Sequence, residues 1–204
     1  MNKAVIISAG SITDYTYTKA FINENDYVIC ADGGMVHAQK MGITPELTVG
    51  DFDSYKGELH GDVRRFNPEK DYTDTHIAVT EALDRGYKEI VLLGATGTRL
   101  DHTLSNIGLL EYIANKGAKG TIVNENNIIT VIRENTAIKN DGFKYVSIIP
   151  IGKALGVTLK NFKYTLDNYD MEFSHSIGIS NEFLDGDGFI EIKEGSLIVI
   201  KSKD

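Results

Sequence analysis

The chain has 204 residues, 42% hydrophobic and 25% charged, which excludes the disordered, collagenous and coiled-coil classes. Acidic residues outnumber basic ones 29 to 21, for a net charge of −8. That balance excludes a general nucleic-acid binder, which needs a basic surface to release counterions from phosphates. Cys30 is the only cysteine, so the sequence predicts neither a disulfide framework nor a cysteine zinc site. No apolar run approaches the roughly 18–20 residues that span a bilayer. The first run, in MNKAVIISAG, is also too short for the core of a signal peptide. A cytoplasmic protein with no membrane partner is expected.

The first half alternates two periodicities. Ala4–Ser8 and Tyr27–Ala31 are short apolar runs that read as buried strands of a parallel sheet, and Leu47–Val49 is a third. Thr73 or Asp74 can cap a helix through Leu83, with Ala78, Val79, Ala82 and Leu83 as its apolar stripe and Gly86 past its end. Glu89–Leu93 is a fourth strand. After Asp101 a second helix follows, with Leu104, Ile107, Leu110 and Ile113–Ala114 at helical spacing and Gly117 as its stop. Strands alternating with helices imply an α/β domain, a mostly parallel sheet with flanking helices, over residues 1–124.

From Glu125 the texture changes. Ile128–Ile132, Tyr145–Ile151, Val157–Leu159, Met171–Phe173, Phe189–Ile192 and Leu197–Lys201 are short β-rich runs broken by Gly, Asn and Asp. Lys193–Ser196 reads as a hairpin turn between the last two. Residues 125–204 are expected to form a smaller all-β sandwich domain.

Four acidic clusters stand out. Ala31–Gly34, Gly50–Ser54 and Gly94–His102 each follow a strand, and Lys70–Asp74 precedes a helix. In open α/β sheets ligands bind beyond the carboxyl ends of the strands, so these segments converge on one rim. Carboxylates gathered there repel one another unless a cation lies among them, and hard oxygen donors suit Mg²⁺ with substrate phosphates. Each cluster also has a plain structural account. Asp-Gly-Gly is ordinary turn chemistry, and Asp51 and Asp53 can serve an Asx turn and a helix cap as well as a metal. Asp74 and Asp101 can be helix caps, and Arg99 can bind a phosphate or solvate a loop.

Neither a GxxxxGK[ST] loop nor a GxGxxG fingerprint is present, so phosphates would rest on backbone N–H groups at a helix start. An anion approaching an acidic rim then needs Mg²⁺ and a base such as Arg99 or Lys70. The five histidines show no metal-ligand spacing; His102, beside Asp101, is the one to watch. Ser8, Ser11 and Ser54 lack a Gly-x-Ser-x-Gly context, and Cys30 reads as a core residue.

Taken in order, ADGG (31–34), GDFDS (50–54), KDYTD (70–74), GATGTRLDH (94–102) with Asn106 following, and GISNEF (178–183) resemble the thiamine pyrophosphokinase family over nearly the whole chain. The resemblance implies an α/β domain with the metal and ATP site, then a β-sandwich for thiamine binding and dimerisation. It implies a homodimer with sites at the interface. The implied reaction moves the β,γ-pyrophosphoryl group of ATP to the hydroxyl of thiamine, with Mg²⁺ as cofactor and AMP released.

Carried over by motif, Asp51, Asp53 and Asp74 match the family's magnesium and catalytic carboxylates, and Asp101 joins them at the catalytic centre. Asp32, Gly33, Lys70, Thr73, Arg99 and His102 are the implied ATP set. Ser180, Asn181 and Glu182, with Asp74 and Asp101, are the implied thiamine set. Asp74 or Asp101 would orient or deprotonate the thiamine hydroxyl, or pair with the thiazolium. Two departures stand out: Gly97-Thr98-Arg99 replaces a common Gly-Gly-Arg, and without tryptophan any stacking on thiamine falls to a residue such as Phe183. Another Mg²⁺-dependent phosphotransferase or phosphohydrolase would use the same rim, as would a thiamine or nucleotide sensor. The full acidic set argues against the sensor.

Overall fold

The computed structural model describes residues 2–52, 57, 59–66 and 71–204. The chain divides into two compact units, Met1–Glu125 and Asn126–Asp204.

The first unit runs β1 (Ala4–Ile7), α1 (Tyr15–Lys19), β2 (Tyr27–Ala31), α2 (Gly34–Met41), β3 (Leu47–Gly50), β4 (Asp62–Arg65), α3 (Asp74–Asp84), β5 (Glu89–Leu93), α4 (Leu100–Asn115) and β6 (Lys119–Val123). Its strands are parallel, in the order β4-β3-β2-β1-β5-β6. The central strands read as continuous apolar runs because both faces are covered: every residue of β1 is fully buried. On one face Val5, Ile7, Val28, Cys30 and Val91 pack with Met35 and Ala38 of α2. On the other, α3 crosses β1, β2 and β3, and α4 lies on β6. Burial pushes the Cys30 thiol up to about 12, so it is a core residue, as its place in a strand implied.

α3 and α4 stand where their sequence signals put them, and of the two cap candidates of α3 the structure selects one. Thr73 rather than Asp74 caps α3, its hydroxyl accepting from His76 N, and Ala78, Val79 and Ala82 are buried beneath it. In α4 the buried face is Asn106, Leu109, Leu110 and Ile113, whereas Leu104, expected in the stripe, is 67% exposed. A helix starting at Leu100 turns Leu104 to the side of Leu100, itself exposed. β4 has no apolar run at all. It is an exposed edge strand, Asp-Val-Arg-Arg, recruited by register with β3.

The second unit contains β7 (Asn127–Ile132), β8 (Thr136–Ile138), β9 (Tyr145–Lys160), β10 (Leu166–Glu172), β11 (Gly188–Glu191) and β12 (Glu194–Ser202). It is all-β and antiparallel, in the order β7-β12-β9-β11-β8, with β10 on the free side of β9. The two runs expected at Tyr145–Ile151 and Val157–Leu159 are one long strand, β9. The Lys193–Ser196 hairpin does not form. β11 pairs with β8 and β9, and the start of β12 pairs with β9, Gly195 opposite Ala154. Gly195 (φ 103°) serves that approach, since a Cβ there would lie 2.5 Å from the Lys153 carbonyl oxygen.

Phe162 centres this unit's core with Val146, Ile148, Leu159, Met171, Ile190 and Leu197, and is wholly buried. Its ring lies where any side chain at Gly188 would have to go. Phe162→Ala is expected to lower stability by about 3–5 kcal/mol, the cost of an aromatic-sized cavity, read from the denaturant midpoint of the purified protein.

Candidate active site

The strand order reverses at β1. From β1 the chain winds outward through β2 and β3, and β5 and β6 lie on the other side. The loops leaving β1 and β5 therefore part in opposite directions, and no crossover covers the gap between them. A cleft of about 390 Å³ opens there, all within the first unit. Its walls are the Ser8–Ser11 and Gly94–Arg99 loops, Asp32, the start of α3 and the first turns of α4.

Backbone hydrogen bonds continue past the strand ends and join the two loops. Ser8 N donates to Leu93 O at 2.8 Å, Gly10 N to Gly94 O at 2.7 Å, and Ser11 N to Thr96 O at 2.7 Å. This requires glycine at position 10, because a Cβ would lie 2.4 Å from the carbonyl oxygens of both Gly94 and Thr96. Side chains brace the second loop. Asn106, buried on α4, donates from Nδ2 to Ala95 O at 2.7 Å, and Asn124 Nδ2 donates to Thr96 Oγ1 at 3.0 Å. Thr103 Oγ1 accepts from Gly97 N and donates to Arg99 O, both at 3.2 Å. Ser8 Oγ and Thr75 Oγ1, buried at the base of the cleft, are 3.0 Å apart.

Asp32 follows β2 with φ 44°, a left-handed conformation that aspartate tolerates, and its N–H donates to Val49 O at 2.8 Å. The turn after β2 is thereby tied to the end of β3, where Asp51 stands half-buried beside Phe52. Asp32, Thr73, Asp74, Arg99 and His102 all line the cleft. Because the cap hydrogen bond of α3 falls to Thr73, Asp74 enters the helix at its first position. Gly33 is the cap residue of α2. Asp53 and Lys70 lie outside the described residues. Asp101 is not itself a wall of the cleft, but its carboxylate is held by Arg99, with Nη2–Oδ2 at 2.5 Å and Nε–Oδ1 at 3.2 Å.

The second unit holds Ser180, Asn181 and Glu182. Asn181 is 1% exposed and its amide is consumed by the fold: Nδ2 donates to Tyr164 O at 2.7 Å, and Oδ1 accepts from Tyr164 N at 2.9 Å and from Glu182 N at 3.0 Å. Its backbone also pairs with Val146. Ser180 is exposed with φ 54°. Glu182 is paired with Lys163 Nζ at 2.9 Å, and that hydrogen bond lowers its carboxyl pKa. Phe183 packs on Phe162, ring centroids 5.4 Å apart, and so belongs with the core; Phe173 and Tyr164 are the more exposed aromatics, at 67% and 61%.

The sequence reading placed Ser8 at the end of a strand, weighed Ser8 and Ser11 as nucleophiles, and missed that Ser8–Ser11 is one wall of the cleft. The available signal was the one used elsewhere, a small polar segment directly after a buried apolar run. Among the described residues no three His, Cys, Asp or Glu side chains group closely enough to enclose a metal ion. The donor set fits a cation that takes few protein ligands, since carboxylate oxygens at the ends of β2 and β3 and at the start of α3 suit Mg²⁺, which keeps water and phosphate ligands.

Two family models match this chain. Residues 18–122 match the thiamin pyrophosphokinase catalytic domain, and residues 129–198 match the thiamin pyrophosphokinase vitamin B1 binding domain. The chain belongs to the thiamine pyrophosphokinase family. It is 32% identical to the thiamine pyrophosphokinase of Bacillus subtilis, over 99% of this chain and 100% of that protein. The crystal structure of thiamine pyrophosphokinase from Bacillus subtilis superposes with TM-score 0.90 at 30% identity, covering all of both chains. The yeast thiamin pyrophosphokinase structure, at 17% identity and TM-score 0.80 over 99% of this chain and 86% of that one, shares the fold. Members of the family are enzymes that make thiamine diphosphate, and ATP is their co-substrate. No helix among the described residues is long and apolar enough to cross a membrane.

The Arg99 hydrogen bonds hold the Asp101 carboxyl down to about 2 and raise the Arg99 guanidinium. A carboxyl depressed on folding contributes stability that is present above its ordinary value of 3.8 and is lost as pH falls through about 2. An NMR titration should find the Asp101 midpoint well below the usual carboxylate range. Arg99→Gln should return it close to ordinary, and an unchanged midpoint would mean that the pair does not persist in solution.

Proposed function

We propose that this chain transfers the β,γ-pyrophosphoryl group of ATP to the hydroxyl of thiamine, giving thiamine diphosphate and AMP. The observation that carries the reading is the cleft where the strand order reverses, walled by two hydrogen-bonded loops and rimmed by Asp32, Asp74 and Arg99, in a chain that matches both domains of the family. We place the reaction in the cytoplasm, where ATP is supplied.

The residues divide the work. Backbone N–H groups at the start of α4 point their dipole at bound phosphate. Arg99, 70% exposed at its side chain, can leave Asp101 for a phosphate oxygen and contact it with two N–H groups. Asp51 and Asp74, with Asp53, would hold Mg²⁺. Bound there, the ion supplies charge compensation for the phosphate oxygens. Asp32, Gly33, Lys70, Thr73 and His102 complete the ATP set. While paired with Arg99, Asp101 is a weak base; once Arg99 turns to phosphate, its carboxylate can take the thiamine hydroxyl proton or face the thiazolium. Asp74 is the other candidate for that role. Toward thiamine, Ser180 and Glu182 offer side chains, and Asn181 acts by holding the turn that presents them.

ATP consumption should require a hard divalent ion and thiamine, and chromatography should show AMP as the nucleotide product. ADP as the main product would replace this reading with an ordinary kinase. Asp51→Asn and Asp53→Asn should each reduce kcat on the order of 100-fold or more with the fold intact, the cost of several kcal/mol of transition-state charge stabilisation. Near-normal activity in both variants would remove them from the metal site.

A two-fold homodimer in which Ser180–Glu182 of one subunit serve the rim of the other is part of the proposal. Mixing inactive Asp51→Asn with inactive Ser180→Ala/Glu182→Ala gives dimers in which one site carries both lesions and the other neither. With random exchange about one quarter of wild-type activity should return, from the symmetry alone. Exchange confirmed by mass without recovery would mean that each site is built within one chain.

A further inference from the structure

One wall of the cleft turns on a residue that must be glycine. Gly10 must be glycine because two carbonyl oxygens occupy the place of a side chain, and glycine leaves the adjoining peptide free to rotate. That peptide carries the Gly10 carbonyl and the Ser11 amide, and it is held at both ends. Ser11 N donates to Thr96 O, and at the opposite end His37 Nε2 lies 2.7 Å from Gly10 O.

His37 comes from α2, outside the cleft wall, and is half-buried. Its second nitrogen, Nδ1, is 2.8 Å from the Tyr15 hydroxyl of α1. A carbonyl oxygen only accepts, so in the neutral ring the proton sits on Nε2, and Nδ1 accepts from Tyr15. Burial favours that neutral ring by lowering the His37 pKa, which the Gly10 hydrogen bond partly opposes and nearby Lys40 reinforces. Tyr15 is fixed in turn. Asp14 caps α1 through Tyr17 N, the Glu125 carboxylate accepts from Thr13 N at 2.5 Å and Asp14 N at 2.7 Å, and Lys40 Nζ stands 5.3 Å from the Tyr15 ring centroid.

We propose that His37 is a positioning residue for nucleotide binding, its Nε2–H fixing the Gly10–Ser11 peptide and Tyr15 fixing its tautomer. The inference rests on the reading that this cleft takes ATP. A flipped peptide would set the Gly10 oxygen against the Thr96 oxygen and break both hydrogen bonds. The Ser8–Ser11 loop would then part from the Gly94–Arg99 loop, and the wall that faces the nucleotide would lose its shape.

The test uses the full chain with ATP, Mg²⁺ and thiamine. His37→Leu should raise KM for ATP about tenfold, the scale of one lost hydrogen bond, and leave KM for thiamine unchanged. His37→Gln, with an N–H donor at similar reach, should recover most of that loss. Tyr15→Phe, which keeps the ring and removes the hydroxyl, should raise KM for ATP by a smaller factor. Long-range nitrogen–proton NMR of the wild type near neutral pH should show His37 protonated on Nε2.

An unchanged KM for ATP in folded His37→Leu overturns the proposal. So does a parallel rise in both KM values with Gln no better than Leu, the pattern of a merely structural role. Should His37→Leu not fold, Tyr15→Phe and the tautomer decide: an unchanged KM for ATP, or a ring protonated on Nδ1, refutes it. Wild-type protein that forms no AMP would overturn the function instead, and the NMR tautomer would still report on the clamp.

Discussion

Everything in the cleft depends on hydrogen bonding between β1 and β5 that does not stop where the strands do. Three further backbone bonds carry the pairing from Leu93 out to Thr96, so two loops that leave the sheet in opposite directions are still tied to each other. A parallel sheet ordinarily loses its order at the strand ends, where the chain departs for its crossovers. Here the order persists for one more turn, and the braces from Asn106, Thr103, Asn124 and His37 all converge on that turn. A wall of backbone and small side chains is thereby preorganised, so little ordering is left to be done when a ligand arrives.

Much of this was legible in the sequence because parallel strands advertise themselves. Runs such as AVII and EIVLL have no polar alternation, and the polar segments after them mark the ligand-binding rim. What the sequence hid was long-range. β4 has no apolar signature, because an exposed edge strand is chosen by pairing with β3. The Gly195 turn looked like a hairpin because local turn chemistry is the same whether the chain doubles back or meets a distant strand, as it meets β9. Leu104 fitted a helical stripe drawn from period alone, but one residue of phase placed it outside.

Asn181 shows the same limit within the candidate site. A motif match names the residue, yet its amide bonds to the backbone of Tyr164, 17 positions away, a partner that no local pattern specifies. Ser180, one residue earlier, takes the strained backbone angle and the exposure. Adjacent positions in one motif thus carry different physical duties, one structural and one facing outward.

Cys30 is the only thiol, sealed in the core with its ionisation pushed far above neutrality. The thiolate that would react with electrophiles is absent at physiological pH, and the sheet would have to open to reach it. The protein therefore arrives with no reactive thiol on its surface. A single cysteine engineered at an exposed position would take a fluorophore or spin label alone, and thiol oxidants should leave catalysis untouched.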